Sequence, residues 1–494
     1  VLFNSFTYLV FLPFVVALHW ALPERFRRPL LLAASYIFYM NWMPAYGLLI
    51  LALTAVNFAL GLAIAEQQNL RKRLLQLGLV FNIGALCFFK YANFLIDSAL
   101  QTTHWLGAAA RSEALLSVKF PEMNVILPLG ISFFTFEFIH YIVDVYRGSK
   151  PVKNFFDFAL FAAFFPSQIA GPIKRFQDFM HQLEHRLGFN SAEFRSGVFL
   201  ILQGLFKKVV LGDNLGILVS YGFTHIGQLG MIDAWLAMAG FQFQIFFDFS
   251  GYTDIGRGSA LLLGYKVPEN FDWPFISANL TEFWRRWHIS LSTWLRDYLF
   301  IPLGGSRGTP NTVRRNIMLT MTLGGLWHGA AWHYVLWGAF HGAGLMFSKD
   351  WHDFVSAKPL LAKMRESKVW HYSGVCITML FLFIAGTIFR AATLADIGHM
   401  LERATSFTPS GGLTQLFLQS TFPACLAVYI AFLAVRVWLD NLDKHEVDLT
   451  VPVLKFLIWW DTSTHVRAVA YATVAVATIG FAPGKIAPFI YFQF

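Results

Sequence analysis

The feature that most limits what this chain can fold into is a succession of apolar runs, each near the length of a membrane span and set apart by short basic loops. A helix that crosses a bilayer needs about 20 largely apolar residues, because hydrocarbon offers its backbone no hydrogen-bond partners. Runs of this kind fall at 6–22, 30–41, 45–65, 75–97, 124–146, 196–222, 232–263, 316–346, 372–390, 417–438 and 467–481. The expectation is an all-α polytopic membrane protein of about eleven transmembrane helices. The run at 30–41 is short enough to sit obliquely. The first run has the length of a signal peptide but lacks a positive n-region before it and an A-x-A site, so it is read as a span. Only 14% of the 494 residues are charged, whereas a soluble protein carries about 25%, and 56% are hydrophobic. That balance excludes a disordered chain and an ordinary soluble enzyme.

The net charge of +9 comes from 38 Lys and Arg against 29 Asp and Glu. The basic residues gather in loops, which is a topology signal and not a nucleic-acid surface. Arg25, Arg27 and Arg28 follow the first run, Arg71, Lys72 and Arg73 the third, and Arg147, Lys150 and Lys153 the fifth, whereas the loop at 99–123 is balanced. Odd spans therefore end in the cytoplasm, and the N-terminus is expected outside. One segment, 155–172, is apolar but has basic residues on both flanks, including Lys174 and Arg175. It is expected to enter and leave on the same side, with Pro166, Gly171 and Pro172 breaking it, as a re-entrant hairpin lining a cavity.

Ionisable groups within apolar runs usually face a partner or a cavity. The densest stretch, Thr281–Asp297, holds Glu282, Arg285, Arg286, His288, Arg296 and Asp297 among tryptophan and leucine anchors that include Trp287. It is either an interfacial amphipathic helix or the buried wall of a polar funnel. Glu282 and Arg286 stand four apart, as helical neighbours do. A second stretch, Gly324–Gly342, carries Trp327, His328, His333 and His341. Spacings of five and eight, with no H-E-x-x-H and no nearby cysteine, do not suit zinc, so no metal is expected. Gly324, Gly325 and Gly338 allow close packing and also leave room for a thin ligand beside the imidazole, which as a neutral base suits a hydroxyl. Asp248 and Asp254 lie in a third cluster, where Asp254 and Arg257 are placed to neutralise each other; Glu137 and His140 form a fourth. Cys87, Cys376 and Cys425 are far apart in apolar stretches and read as core thiols. No Walker A, Rossmann or G-x-S-x-G pattern is present.

The segments TEFWRRWHISLSTWLRDYLFIPLGG at 281–305, GGLWHGAAWHYVLWGAFHG at 324–342 and PFIYFQF at 488–494 resemble the membrane-bound O-acyltransferase family. They are most similar to its bacterial branch concerned with alginate O-acetylation. LPLGISFFTF at 127–136, DVYRG at 144–148, FPSQIAGPI at 165–173 and FFDFSGYTD at 246–254 extend the likeness. The resemblance implies a ring of helices around a funnel within one integral-membrane domain, 1–494, with N-terminal helices at 1–123, a catalytic core at 124–348 and C-terminal helices at 349–494. It implies that His328 is the essential histidine, as general base or acyl relay, and that His288 is the second signature position, orienting the acyl group or donating to the oxyanion. Trp287, Arg285, Arg286, Trp327, Asp297 and Asp254 become funnel-lining candidates. The implied donor is acetyl-CoA or an acyl carrier thioester, with no permanently bound cofactor. The implied partners are an extracytoplasmic acetyltransferase and a polysaccharide acceptor, alongside membrane lipids and without nucleic acid. The implied location is the bacterial inner membrane. D-alanyl transfer to teichoic acid, and a transporter or flippase in an envelope polymer machine, are the alternatives.

Overall fold

The computed structural model describes residues 3, 5–111, 117–119, 126–168, 171–185, 188–409, 411–420, 422–427, 429–430 and 464–483. The end of the expected span 417–438, from residue 431 on, and the whole of the 488–494 motif lie outside the described residues. The first helices are α1 (Phe6–Ala21), α2 (Glu24–Met40), α3 (Pro44–Glu66), α4 (Arg71–Leu86), α5 (Ala92–Ala110), α6 (Ile131–Tyr146), α7 (Phe155–Ala163) and α8 (Phe176–Glu184). There follow α9 (Ser191–Leu205), α10 (Asn214–Thr224), α11 (Met231–Leu262), α12 (Leu280–Arg286), α13 (Ile289–Leu295), α14 (Pro310–His328), α15 (Trp332–Ser356), α16 (Pro359–Met364), α17 (Lys368–Arg390) and α18 (Leu394–Thr405). Starts are set by local chemistry. Ser5, Asn190, Thr309 and Ser367 each accept a backbone N–H of the first turn, and Pro44 and Pro310 occupy first-turn positions where no N–H is needed.

The surface is apolar where a soluble protein would be polar. Leu48 and Val80 are each 70% exposed and Ile377 is 68% exposed, while Asn57 and Asn82 are buried and hydrogen-bond to each other at 2.7 and 3.0 Å between α3 and α4. This arrangement is built for lipid outside and paired polar groups inside. Among the described residues, three helices are long and apolar enough to cross a membrane: Pro44–Glu66, Arg71–Ala110 and Lys368–Arg390. The other expected runs, as far as they are described, form helices that are shorter or carry ionisable groups.

Buried charges are paired across elements. Lys208 lies within 2.5 Å of Asp213 and 2.7 Å of Asp248, and Lys207 within 2.7 Å of Asp254, fastening the π-helical turn Phe206–Asp213 onto α11. The expected Asp254–Arg257 pair is replaced by this tertiary one, and Arg257 turns instead to Glu269. Glu137 on α6 pairs with Lys174 at 2.7 Å, and His140 Nε2 accepts the Phe176 N–H at 3.2 Å.

The segment at 155–172 has the predicted interruption. α7 has nine residues, about 14 Å of rise, less than half a bilayer core, and Phe158–Phe165 are almost fully enclosed by protein. Other expectations are corrected. The loop expected from 99 is helical as far as Ala110, because Arg71–Ala110 runs on through a π turn at Cys87–Tyr91. The run at 316–346 is two helices, α14 and α15, parted at Gly329–Ala331. Cys376 is exposed on α17 and is no core thiol. The small residues between α14 and α15 leave no ligand space, because a methyl group on Gly338 would overlap the Met321 carbonyl and lie 2.9 Å from Thr322 Cα.

Gly338→Ala is therefore expected to lower the thermal midpoint in detergent by many degrees. Gly84→Ala, where an added methyl meets nothing within 4 Å on an exposed helix face, leaves it unchanged or slightly higher. Equal midpoints for the two variants would contradict the backbone-to-backbone packing of α14 on α15.

Candidate active site

The site begins with the break after α14. His328 is the last helical residue, and Gly329 follows in extended conformation with φ −163°. A side chain on Gly329 would collide with the Tyr334 ring, so glycine allows the chain to turn closely into α15. Ending a helix here strands carbonyls where water is scarce. They are met by the π turn of Cys87–Tyr91. Lys90 Nζ donates to the Trp327 carbonyl at 2.5 Å and the His328 carbonyl at 3.1 Å, and the Tyr91 hydroxyl donates to the Leu326 carbonyl at 2.8 Å. A cation at a helix C-terminus also suits the macrodipole.

His328 is buried, edge-on to Trp337 at 5.1 Å and Phe389 at 5.3 Å. It borders a cavity of about 30 Å³, room for about two water molecules. The wall also includes His341, Gln242, Trp287, Trp337 and Phe389, from α11, α15, α17 and the end of α12. Off the cavity wall, Trp327 joins a stack in which Phe136 lies 5.0 Å from Trp327 and 4.0 Å from Trp294. Trp294 Nε1 donates to the Phe136 carbonyl at 3.1 Å.

His288 sits between α12 and α13 with a left-handed backbone, φ 42°, an uncommon state for a residue with a side chain. A strap holds it there. The Ile289 N–H donates to the Asn270 carbonyl at 3.0 Å, and Asn270 Oδ1 accepts from the Ser290 N–H at 3.2 Å and hydroxyl at 2.6 Å. The imidazole packs edge-on to Phe249 at 4.7 Å and tilted to Trp327 at 6.3 Å. It is buried and, among the described residues, neither ring nitrogen has a hydrogen-bond partner. It is not part of the cavity wall.

The structure thus places Trp287 on the wall with His328, keeps Trp327 beside His328 at 4.9 Å but off the wall, and holds four other sequence candidates away from the cavity. Arg285 is exposed. Arg286 pairs with Glu282 at 3.1 Å, the expected helical neighbours, and with Asp272 at 3.2 Å. Asp297 lies 2.7 Å from both Arg175 and Arg296, and Asp254 is held by Lys207 and by Gln203 at 2.9 Å. Sequence reasoning passed over Lys90, Tyr91, Asn270 and Gln242. Only Lys90 carried a signal, a lone cation inside an apolar run; the others are recognisable only by what they touch.

Among the described residues the chain is a helical bundle with an apolar exterior and a histidine-bearing cavity, an architecture suited to an integral-membrane enzyme. The chain belongs to the membrane-bound O-acyltransferase family, whose sequence profile matches residues 67–394. A probable alginate O-acetylase of Pseudomonas aeruginosa is 42% identical over 408 residues, covering 82% of this chain and 74% of that protein. A probable alginate O-acetylase of Pseudomonas putida is 37% identical over 99% of both chains. A peptidoglycan O-acetyltransferase of Helicobacter pylori is 34% identical over 79% of this chain and 76% of its own. The chain is a membrane-bound O-acyltransferase, and this membership sets aside the transporter reading.

Lys90→Met orphans two buried carbonyls and is expected to destabilise the protein by about 3 kcal/mol, while Tyr91→Phe removes one bond and costs about 1 kcal/mol. Denaturant titration in mixed detergent micelles measures both. A Lys90→Met variant as stable as wild type would mean that the end of α14 does not depend on this cap.

Proposed function

We propose that the chain moves an acetyl group from a cytoplasmic thioester, acetyl-CoA or an acyl carrier, to the hydroxyl of an envelope polysaccharide, by way of an extracytoplasmic partner acetyltransferase. The observation that carries this reading is His328 at a fixed helix end on the wall of a small cavity lined mostly by apolar side chains. The relatives named for alginate and peptidoglycan O-acetylation support a polysaccharide acceptor. The bacterial inner membrane, with the N-terminus outside, accords with the basic loops after odd spans.

In this reading His328 takes the proton of the acceptor hydroxyl as its oxygen attacks the thioester carbonyl. The apolar wall of Trp287, Trp337 and Phe389 keeps bulk water from competing for the acyl group.

Membrane vesicles given labelled acetyl-CoA, with and without the extracytoplasmic partner, test this. Wild-type vesicles are expected to pass label to a hydroxyl acceptor, and His328→Ala to lower the rate by about 10² to 10⁴. Equal rates would remove His328 from the chemistry. Transfer of D-alanyl but not acetyl groups would replace the acetyl reading.

A further inference from the structure

The cavity has a second histidine whose ring is held more completely than that of His288. His341 lies on α15, is 2% exposed and forms part of the wall with His328. The two imidazoles pack on one indole: Trp337 is 5.1 Å from His328 and 4.5 Å from His341. Phe381 lies edge-on to His341 at 5.2 Å. Trp284 Nε1, on α12, donates to His341 Nδ1 at 3.3 Å. An indole N–H can only donate, so Nδ1 accepts and a neutral His341 carries its proton on Nε2. The ring is therefore a donor of fixed tautomer, and its free polar atom is the Nε2–H. A cavity with room for about two water molecules gives His328 and His341 a common space to face. His288 lacks these properties, since it is off the wall and its ring nitrogens have no partner among the described residues.

We propose that His341 is a catalytic hydrogen-bond donor, stabilising through Nε2–H the oxyanion formed during acyl transfer, and that Trp284 is the positioning residue that fixes its tautomer. This rests on the acyl-transfer reading above. The acceptor oxygen forms a bond to the thioester carbonyl carbon while its proton passes to His328. The carbonyl π pair moves onto oxygen, where the His341 N–H meets it. As the carbonyl re-forms, the carbon–sulfur bond breaks and the thiolate leaves with the proton held by His328, giving ester and thiol. The donor is neutral, in an apolar setting where its dipole acts at close to full strength.

The test uses the purified full chain in lipid nanodiscs with labelled acetyl-CoA and the partner acceptor, comparing wild type, His341→Leu, His341→Gln, Trp284→Phe and His328→Ala. His341→Leu is expected to lose about 10² to 10³ in kcat with the donor KM nearly unchanged. His341→Gln, which keeps an N–H near the Nε2 position, recovers at least about tenfold over leucine. Trp284→Phe falls between wild type and leucine, in kcat and not in KM. A leucine variant with wild-type kcat, one altered only in KM, or a glutamine variant no better than leucine overturns the proposal. If His341→Leu does not fold, wild-type kcat in both the glutamine and Trp284→Phe variants overturns it. Inactive His328→Ala beside active His341→Leu sinks the role of His341 alone, whereas active His328→Ala sinks the acyl-transfer reading at this cavity and His341 with it.

Discussion

A helix that stops inside an apolar bundle leaves carbonyls that neither water nor lipid will meet, and the end of α14 is such a place. The π turn at Cys87–Tyr91 brings Lys90 and Tyr91 to the last three carbonyls of α14. The extra residue in that turn rotates the two side chains together toward a neighbour that an unbroken helix would present differently. With those carbonyls satisfied, Gly329 can leave the helix and send the chain back along it as α15. Every member of the cavity wall from α15, His341 and Trp337 included, takes its position from that reversal. The backbone contact of Gly338 with Met321 then fixes the register of the two helices, so His328 and His341 share one space.

How much of this was readable in the sequence depended on the range of the interactions involved. Apolar runs located α1 and α3 to within one residue at each end and α17 to within four, because a span is decided by its own composition. Charge on both flanks of 155–172 exposed its interruption for the same local reason. The break at Gly329 did not show, because H-G-A-A lies inside an apolar run and its stability depends on Lys90, more than two hundred residues away. Asp254 was matched to Arg257 at helical spacing, yet the buried position of Lys207 offers a better-desolvated partner. His328 and Trp327 came through their motif. His341 stood in the same motif without a role, since the Trp284 bond that fixes its tautomer joins two helices with no sequence relation.

The charged stretch 281–297 shows why counting ionisable groups overstated the site. Left-handed His288, followed by Ile289 and Ser290 that are tied to Asn270, splits the segment into two short helices that point their residues differently. Arg286 and Asp297 are drawn to Glu282, Asp272, Arg175 and Arg296, all partly exposed, where an ion pair loses little hydration. Trp287 and Phe283 are left facing the cavity. The charges secure the segment, and the aromatic rings shape the wall.

That division has a chemical consequence. A fixed cation beside a thioester carbonyl would already attract its oxygen in the ground state, and the part of that attraction shared with the transition state would not speed the reaction. In the proposed reaction, a wall of indole, phenyl and imidazole holds little net charge, so its field on a thioester carbonyl would be weak until negative charge develops on the oxygen. Neutral donors then gain most where the charge is greatest, and the low polarity around them limits screening. Lys90, the cation at the end of α14, is committed to the backbone carbonyls of Trp327 and His328 and is not part of the cavity wall. Under the proposed reaction, the chain's scarcity of charge is more than an adaptation to lipid: it would let a site built from neutral hydrogen-bonding groups respond chiefly to the charge that the reaction itself creates.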